Sequence, residues 1–442
     1  MEPRAKIVYW DRTIETLPRD RIVEIQWMRL KEQMRHLLAR SPFYRRRLGA
    51  LGLSLESIQN FDDFRRLVPL TTKDDLRKER DERGDSYGGL LCVPPEEIVH
   101  LIRTAGTTGV PSIYGLTQRD VQTLGELTAR MWYQIGAQKG HTVACATIGT
   151  WNYFAKALLE GLRVAGITVY NFSMPVPGEE VFPIEVLSRY VAIQGIYLSA
   201  RPFMQVTKKY GDRLKTLLPH LKYVWVAGQR MTKSFRQQVE SLWGGRLYEA
   251  YPITDVGLPS ANCPEQFETF HFPEDAFVVE VIDPETGQDL TGTGKVGEFV
   301  VTSLLAEGTP LLRFRTEDMG FTTLTPCPCG RTGMRLGLSE RMAHAISVGD
   351  RLVFSSDVEE ILYEFPRFLF LSYHLVRKKQ QPQEKLIVRV ERPVNFSPEE
   401  RLQERLVARL REALGLEAEV EFISKEDERF VVGYKPLKVV TE

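Results

Sequence analysis

Residues Arg103 to Gly115 read RTAGTTGVPSIYG, a run of small residues, hydroxyls and three glycines without a lysine. Gly106 and Gly109 can take positive φ, so that neighbouring backbone N–H groups converge on one point and form an anion nest. Thr104, Thr107 and Thr108 add hydroxyl donors, and the chemistry this suits is phosphate binding. The stretch is not the GxxxxGK[ST] loop, because both spacing and lysine differ. The same residue types also build plain tight turns. A second set could hold a metal. Cys327-Pro-Cys329-Gly330 can aim two thiolates at one ion, and Cys263 and His271 lie upstream. Together they make a Cys₃His set, the composition of a closed structural zinc site with no open coordination position. The alternative is a pair of buried free cysteines and a surface histidine. Cys92 and Cys145 read as small core residues.

The elements around these residues follow from hydrophobic period. Strand-like segments at 141–149, 167–173, 192–200, 223–228 and 246–251 alternate with helical ones at 153–166, near 183–191 and over 231–243. Alternation predicts right-handed crossovers and a largely parallel sheet covered on both faces. Ligands then sit beyond the carboxyl ends of the strands, at the loops after Gly149, Gly228 and Tyr251. Ahead of this region, Ile22, Trp27, Leu30, Met34 and Leu37 have near-helical spacing and predict an amphipathic helix over 21–38. The following SPFYRRRL reads as a turn and a short basic segment. From about residue 276, FVVEVIDPETGQDL and VGEFVVTSL predict an antiparallel β subdomain joined by Asp-Pro and Thr-Gly turns. After Glu340 the pattern becomes helix (357–365), strands (374–378 and 385–391), a helix over 399–414 with Leu402, Leu406, Leu410 and Leu414 in register, and a last strand (420–424). This predicts a large α/β domain over 1–340 and a small α+β domain over 341–442.

Composition narrows the function classes. The chain has 442 residues, 43% of them hydrophobic, which is enough for two or three folding units. Basic and acidic residues balance at 58 each, so there is no basic excess of the kind nucleic-acid binders carry. The opening MEPRAKIVYWDRTIE lacks the apolar core of a signal peptide. The most apolar run, Phe368 to Val376, falls well short of the roughly 20 residues a membrane span needs. Five cysteines without framework spacing predict reduced thiols and a cytoplasmic protein. No internal repeat is evident.

TAGTTGVPSIYGLTQRD resembles the phosphate loop of the adenylate-forming superfamily, and the likeness is closest to phenylacetate–CoA ligases. IETLPRDRIVEIQWMRL, HLLARSPFYRRRL, VPLTTKDDLR, YPITDVG, VIDPETGQDL, LLRFRTEDMG and VFSSDVEEIL continue it in the family's order over nearly the whole chain. The resemblance implies a ligase that activates an aryl or arylacetic acid with ATP and Mg²⁺, then transfers it to coenzyme A. It assigns Thr104, Gly106, Thr107, Thr108 and Gly109 to the ATP phosphates, Thr254 to the α-phosphate and Asp255 to Mg²⁺. Asp318 falls on the ribose hydroxyls, and Ala227, Gly228 and Gln229 with Tyr251 fall at the nucleotide pocket. Arg341 falls at the interdomain hinge, and Lys435 matches the catalytic lysine of the C-terminal domain. Trp151, Tyr153, Phe154 and Pro252 fall at the acid site. CPCG with an upstream Cys/His pair also occurs in similar ligases, which often dimerise.

Several positions depart from the family pattern. Val110 replaces a lysine in the phosphate loop, Asp255 replaces a glutamate, and Pro252 replaces a glycine. The hinge keeps Arg341 but has Ala343 and His344 where aspartates are usual. These departures leave room for an acceptor other than coenzyme A, or for a nucleotide-binding homologue with impaired catalysis.

Overall fold

The computed structural model describes residues 7–103, 112–146, 153–172, 188–228, 230–340, 344–379, 383–393, 401–424, 427 and 438–442. The chain divides into two compact units. The first holds Met1–Phe203, Leu217–Gln229 and Tyr248–Ser339; the second holds Met204–Thr216, Arg230–Leu247 and Glu340–Glu442.

The first unit is built on a mixed sheet. Strands β3 (Thr142–Ala146), β4 (Thr168–Asn171), β5 (Gly195–Ser199), β6 (Tyr223–Ala227) and β7 (Arg246–Ala250) stand where the alternating pattern placed them. The pairs β3–β4, β3–β5 and β5–β6 are parallel. After β7 the sheet turns antiparallel through β8 (Ala261–Asn262), β9 (Thr269–His271), β13 (Arg335–Leu338), β12 (Phe314–Thr323), β11 (Gly297–Ser303) and β10 (Phe277–Ile282). The expected antiparallel strands thus continue the parallel sheet. On the parallel half, Trp225 of β6 meets Trp132 edge to face at 4.6 Å, with Phe154 and Tyr197 packed around it. Such aromatic pairs add about 1 kcal/mol beyond the area they bury.

A separate hairpin pairs β1 (His100–Arg103) with β2 (Ile113–Leu116), which flank the glycine- and threonine-rich stretch in the sequence. The helix Gln118–Gln134 follows, which the loop motif concealed in the sequence. Its start is a capping box in which the Thr117 hydroxyl accepts from Asp120 N and the Asp120 carboxylate accepts from Thr117 N. Asp120 also accepts from Glu307 N and Gly308 N, at 2.7 and 2.9 Å, and so ties the start of this helix to a distant loop.

Two expectations are corrected. SPFYRRRL is a helix, Pro42–Gly49, not a turn and a basic stretch. Ser41 caps it, accepting from Tyr44 N and donating to Gly89 O, while Pro42 supplies the preset φ of a first helical position. Its apolar residues Phe43, Tyr44 and Leu48 are buried, so arginine density hid an amphipathic period. The strand read over 192–200 ends at Ser199, and a helix, Ala200–Tyr210, starts there. Most of the helix expected near 183–191 lies outside the described residues.

In the second unit the strands Ala418–Ile423, Leu386–Glu391, Tyr373–Arg377 and Val439–Thr441 lie side by side in that order. Leu402, Leu406 and Leu410 of the helix Leu402–Leu414 are buried against this sheet, whereas Leu414 is only partly covered. Ser234, in the first turn of the helix Lys233–Trp243, donates its N–H and hydroxyl to Glu360.

Candidate active site

The segment YPITDVG leaves β7 at the carboxyl end of the parallel strands. A bridge between Ile253 and Leu258 folds it into a tight turn, with Gly257 at φ +70°. A β-carbon there would meet the Tyr153 hydroxyl at 2.1 Å, so only glycine lets Tyr153 pack against the turn. Tyr153, Phe154, Pro252, Thr254 and Leu258 line a narrow pocket beside it. The structure thus gathers three of the residues expected at the acid site with Thr254.

Asp255, on the same turn, accepts a 2.9 Å hydrogen bond from the Tyr114 hydroxyl on β2. Partial burial pushes its carboxyl above the usual range, opposed by the Lys73 ammonium and by the Tyr114 hydrogen bond. Tyr251 donates to Asp318 at 2.9 Å. Asp318 sits on a bulge of β12, where the ladder with β11 shifts register. Ala227 ends β6 and Gly228 follows with φ +87°, a backbone turn with open space beside it. Thr104, Gly106, Thr107, Thr108, Gly109, Val110, Trp151, Gln229, Arg341, Ala343 and Lys435 lie outside the described residues. Sequence reasoning did not find Tyr114 or Lys73. A tyrosine in a strand and a lysine at a helix start carry no spacing signal, and their role appears only when the turn is brought to them.

The four metal-ligand candidates do converge. The ligand atoms of Cys263, His271, Cys327 and Cys329 all lie within 4.8 Å of one another and all four residues are buried. Cys263 Sγ is 3.3 Å from Cys327 Sγ, and Cys329 Sγ is 3.4 Å from His271 Nε2. His271 is in β9 and buried, which corrects the surface-histidine alternative. Burial pushes its imidazole toward the neutral form, the form that binds metal. All five cysteines are free thiols. The separations suit a tetrahedral ion with bonds of about 2.0–2.3 Å.

The N-terminal segment closes over this cluster. The Tyr9 hydroxyl donates to Cys329 O at 2.7 Å, and Ile7 packs on the three thiols. Arg331 donates to the Glu15 carboxylate and to Val8 O at 2.7 and 2.6 Å, and its guanidinium stacks 4.7 Å from the Tyr9 ring.

A family model described as the AMP-binding enzyme C-terminal domain matches residues 351–433. The phenylacetate–coenzyme A ligase of Thermus thermophilus is 31% identical over 385 residues, covering 86% of this chain and 83% of the relative. That of Pseudomonas putida is 30% identical over 363 residues, 78% and 76% of the two chains. Among solved structures, a 2-hydroxyisobutyryl-CoA ligase in its postadenylation state shares the fold with a TM-score of 0.83 at 21% identity, over 100% of this chain and 94% of that one. The chain belongs to the phenylacetate–coenzyme A ligase family of adenylate-forming enzymes.

Proposed function

We propose that this protein is an AMP-forming acid–thiol ligase that joins a carboxylic acid to coenzyme A. In the first step a carboxylate oxygen attacks the α-phosphorus of ATP, the bond to the bridging oxygen breaks, and pyrophosphate leaves. In the second, a thiol attacks the acyl carbonyl, AMP leaves with the bonding electrons, and the thiol proton passes to solvent. Both steps are catalysed by positioning and charge stabilisation.

The observation that carries the reading is the meeting of three distant segments at one turn. YPITDVG brings Asp255 to Tyr114 beside the phosphate loop, Tyr251 to Asp318, and Pro252 with Thr254 to the Tyr153 pocket. In this reading Asp318 accepts from the ribose hydroxyls, Thr254 donates to the α-phosphate, and Ala227, Gly228 and Gln229 flank the adenine. Thr104, Gly106, Thr107, Thr108 and Gly109 hold the phosphates, and Lys435 supplies the cation, carried by the C-terminal segment after Arg341. Asp255 offers the hard oxygen donors Mg²⁺ prefers. When bound, Mg²⁺ neutralises phosphate charge. The apolar walls formed by Tyr153, Phe154, Pro252 and Leu258, with Trp151 two residues before Tyr153, favour an aryl or arylacetic acid. Cys263, His271, Cys327 and Cys329 fit a structural Zn²⁺, because three thiolates and a neutral imidazole leave it no open position. A cytoplasmic site is part of the same proposal, since reduced thiols persist there. Among the described residues no helix is long and apolar enough to cross a membrane.

Val110, Ala343 and His344 favour a second reading, in which the adenylate forms but an amine or carrier-protein thiol replaces coenzyme A. Acid-dependent exchange of labelled pyrophosphate into ATP tests the first step, with Lys435→Ala as control. Exchange with an aryl acid, followed by AMP release that depends on coenzyme A, supports the proposal. AMP release only with an amine or carrier protein supports the second reading. No exchange with any aryl or aliphatic acid overturns both.

A further inference from the structure

Asp318 does not lie on a regular strand. Along the β11–β12 ladder, Glu298 faces Met319 but Val300 faces Arg315, so two steps on one strand span four on the other. The surplus residues loop out, and Glu317 takes a left-handed backbone at φ +64°. That conformation is unfavourable for a glutamate, and a bulge that interrupts the ladder leaves backbone groups to be paired some other way.

Glu298 does that pairing. It is only 3% exposed. One carboxylate oxygen accepts from Arg315 Nε at 2.9 Å, and the other accepts from the Glu317 backbone N–H at 3.1 Å. The residue between them is fixed as well: the Thr316 hydroxyl donates to Phe299 O at 2.9 Å and accepts from Asp318 N at 3.2 Å. Within the bulge, Asp318 receives the Tyr251 hydroxyl. A plain surface ion pair between Glu298 and Arg315 would need only one carboxylate oxygen and no backbone partner. Here the carboxylate replaces the ladder hydrogen bond that the bulge removes, one residue before Asp318.

We propose that Glu298 is the positioning residue for Asp318, holding the bulge in the shape that lets the aspartate read the nucleotide's sugar hydroxyls. This rests on the ribose contact assigned to Asp318 under the proposed function. Glu298 touches no substrate and acts through backbone geometry. Its loss therefore weakens discrimination between ribo- and deoxyribonucleotides more than it slows chemistry.

The test uses the full-length enzyme in acid-dependent pyrophosphate exchange with ATP, 2′-deoxy-ATP and 3′-deoxy-ATP, alongside direct binding of each nucleotide. The wild type is expected to prefer ATP. Glu298→Ala is expected to cut that preference about tenfold and raise KM for ATP, with kcat within about threefold. Glu298→Gln, which keeps an acceptor for Glu317 N–H, should fall between, and it stands in should the alanine variant fail to fold. Glu317→Ala removes only the side chain and should keep the preference. A folded Glu298→Ala or Glu298→Gln enzyme with wild-type preference, while Asp318→Asn loses it, overturns the positioning role alone. An Asp318→Asn enzyme that keeps the preference overturns the ribose assignment and the proposal with it.

Discussion

The Tyr153 hydroxyl lies 2.1 Å from where a β-carbon at residue 257 would stand, so the pocket wall and the YPITDVG turn are matched to each other. Gly257 also holds φ +70°, so any side chain there meets both strain and a clash. Gly257→Ala should destabilise the fold by about 1–3 kcal/mol and lower kcat/KM for the acid at least about tenfold. Adding Tyr153→Ala should return part of the stability by removing the clash. Thermal melts and exchange kinetics of the two single variants and the double variant give the coupling. Strictly additive effects would mean the two positions do not press on each other.

Asp255 supplies a pH signature. Partial burial holds its folded-state carboxyl above the unfolded value of 3.8. Between those two values the folded chain binds more protons than the unfolded one, so stability falls as pH rises through the window. Asp255→Asn keeps an oxygen acceptor for Tyr114 and removes the charge. Its melting temperature should exceed wild type at neutral pH, and the gain should vanish once the pH drops below the ordinary carboxylate range. The same change should cost exchange activity about a hundredfold and weaken Mn²⁺ binding to the ATP complex, read by electron paramagnetic resonance. A variant less stable than wild type at neutral pH would show that Asp255 is held as a favourably paired carboxylate.

Metal removal has a structural readout. Tyr9, Val8 and Glu15 are all tied to the loop that carries Cys327 and Cys329. Trp10 lies on the same segment and donates to Glu126 at 2.9 Å while packing on Tyr133. The purified protein should carry one equivalent of zinc, absent from Cys327→Ser. Chelation should expose residues 7–17 to protease and shift Trp10 emission to the red, with Trp10→Phe identifying the signal. A chelated protein with unchanged emission and protection would show that the segment docks without the ion.

The buried pair Arg313–Glu280 should be intolerant of single changes. Arg313 donates to both Glu280 oxygens at 3.1 and 3.0 Å and to Val68 O, from a left-handed backbone at φ +43°. Arg313→Met leaves the buried Glu280 carboxylate only the longer Arg65 contact at 4.0 Å and should cost about 3 kcal/mol. Adding Glu280→Gln should recover part of that loss in denaturant melts.

The sequence by itself determined the order of strands and helices in the parallel half. A helix that buries one face must repeat its apolar residues with its own period, as at Lys233–Trp243, and a parallel strand covered on both faces reads as a continuous apolar run, as at Tyr223–Ala227. It also determined the family, because the phosphate loop, YPITDVG and RFRTEDMG occur in order with their spacing intact. Composition at Cys263, His271, Cys327 and Cys329 was enough to propose a metal site, since few other roles need that set. The tertiary structure decided what spacing cannot carry. It set Tyr114 against Asp255, folded the N-terminal segment over the thiols, and looped Asp318 out of β12 under the hold of Glu298. Each of these joins residues far apart in the chain or depends on one backbone torsion. Such partners are chosen by where a sheet's strands end up, and no local period records them.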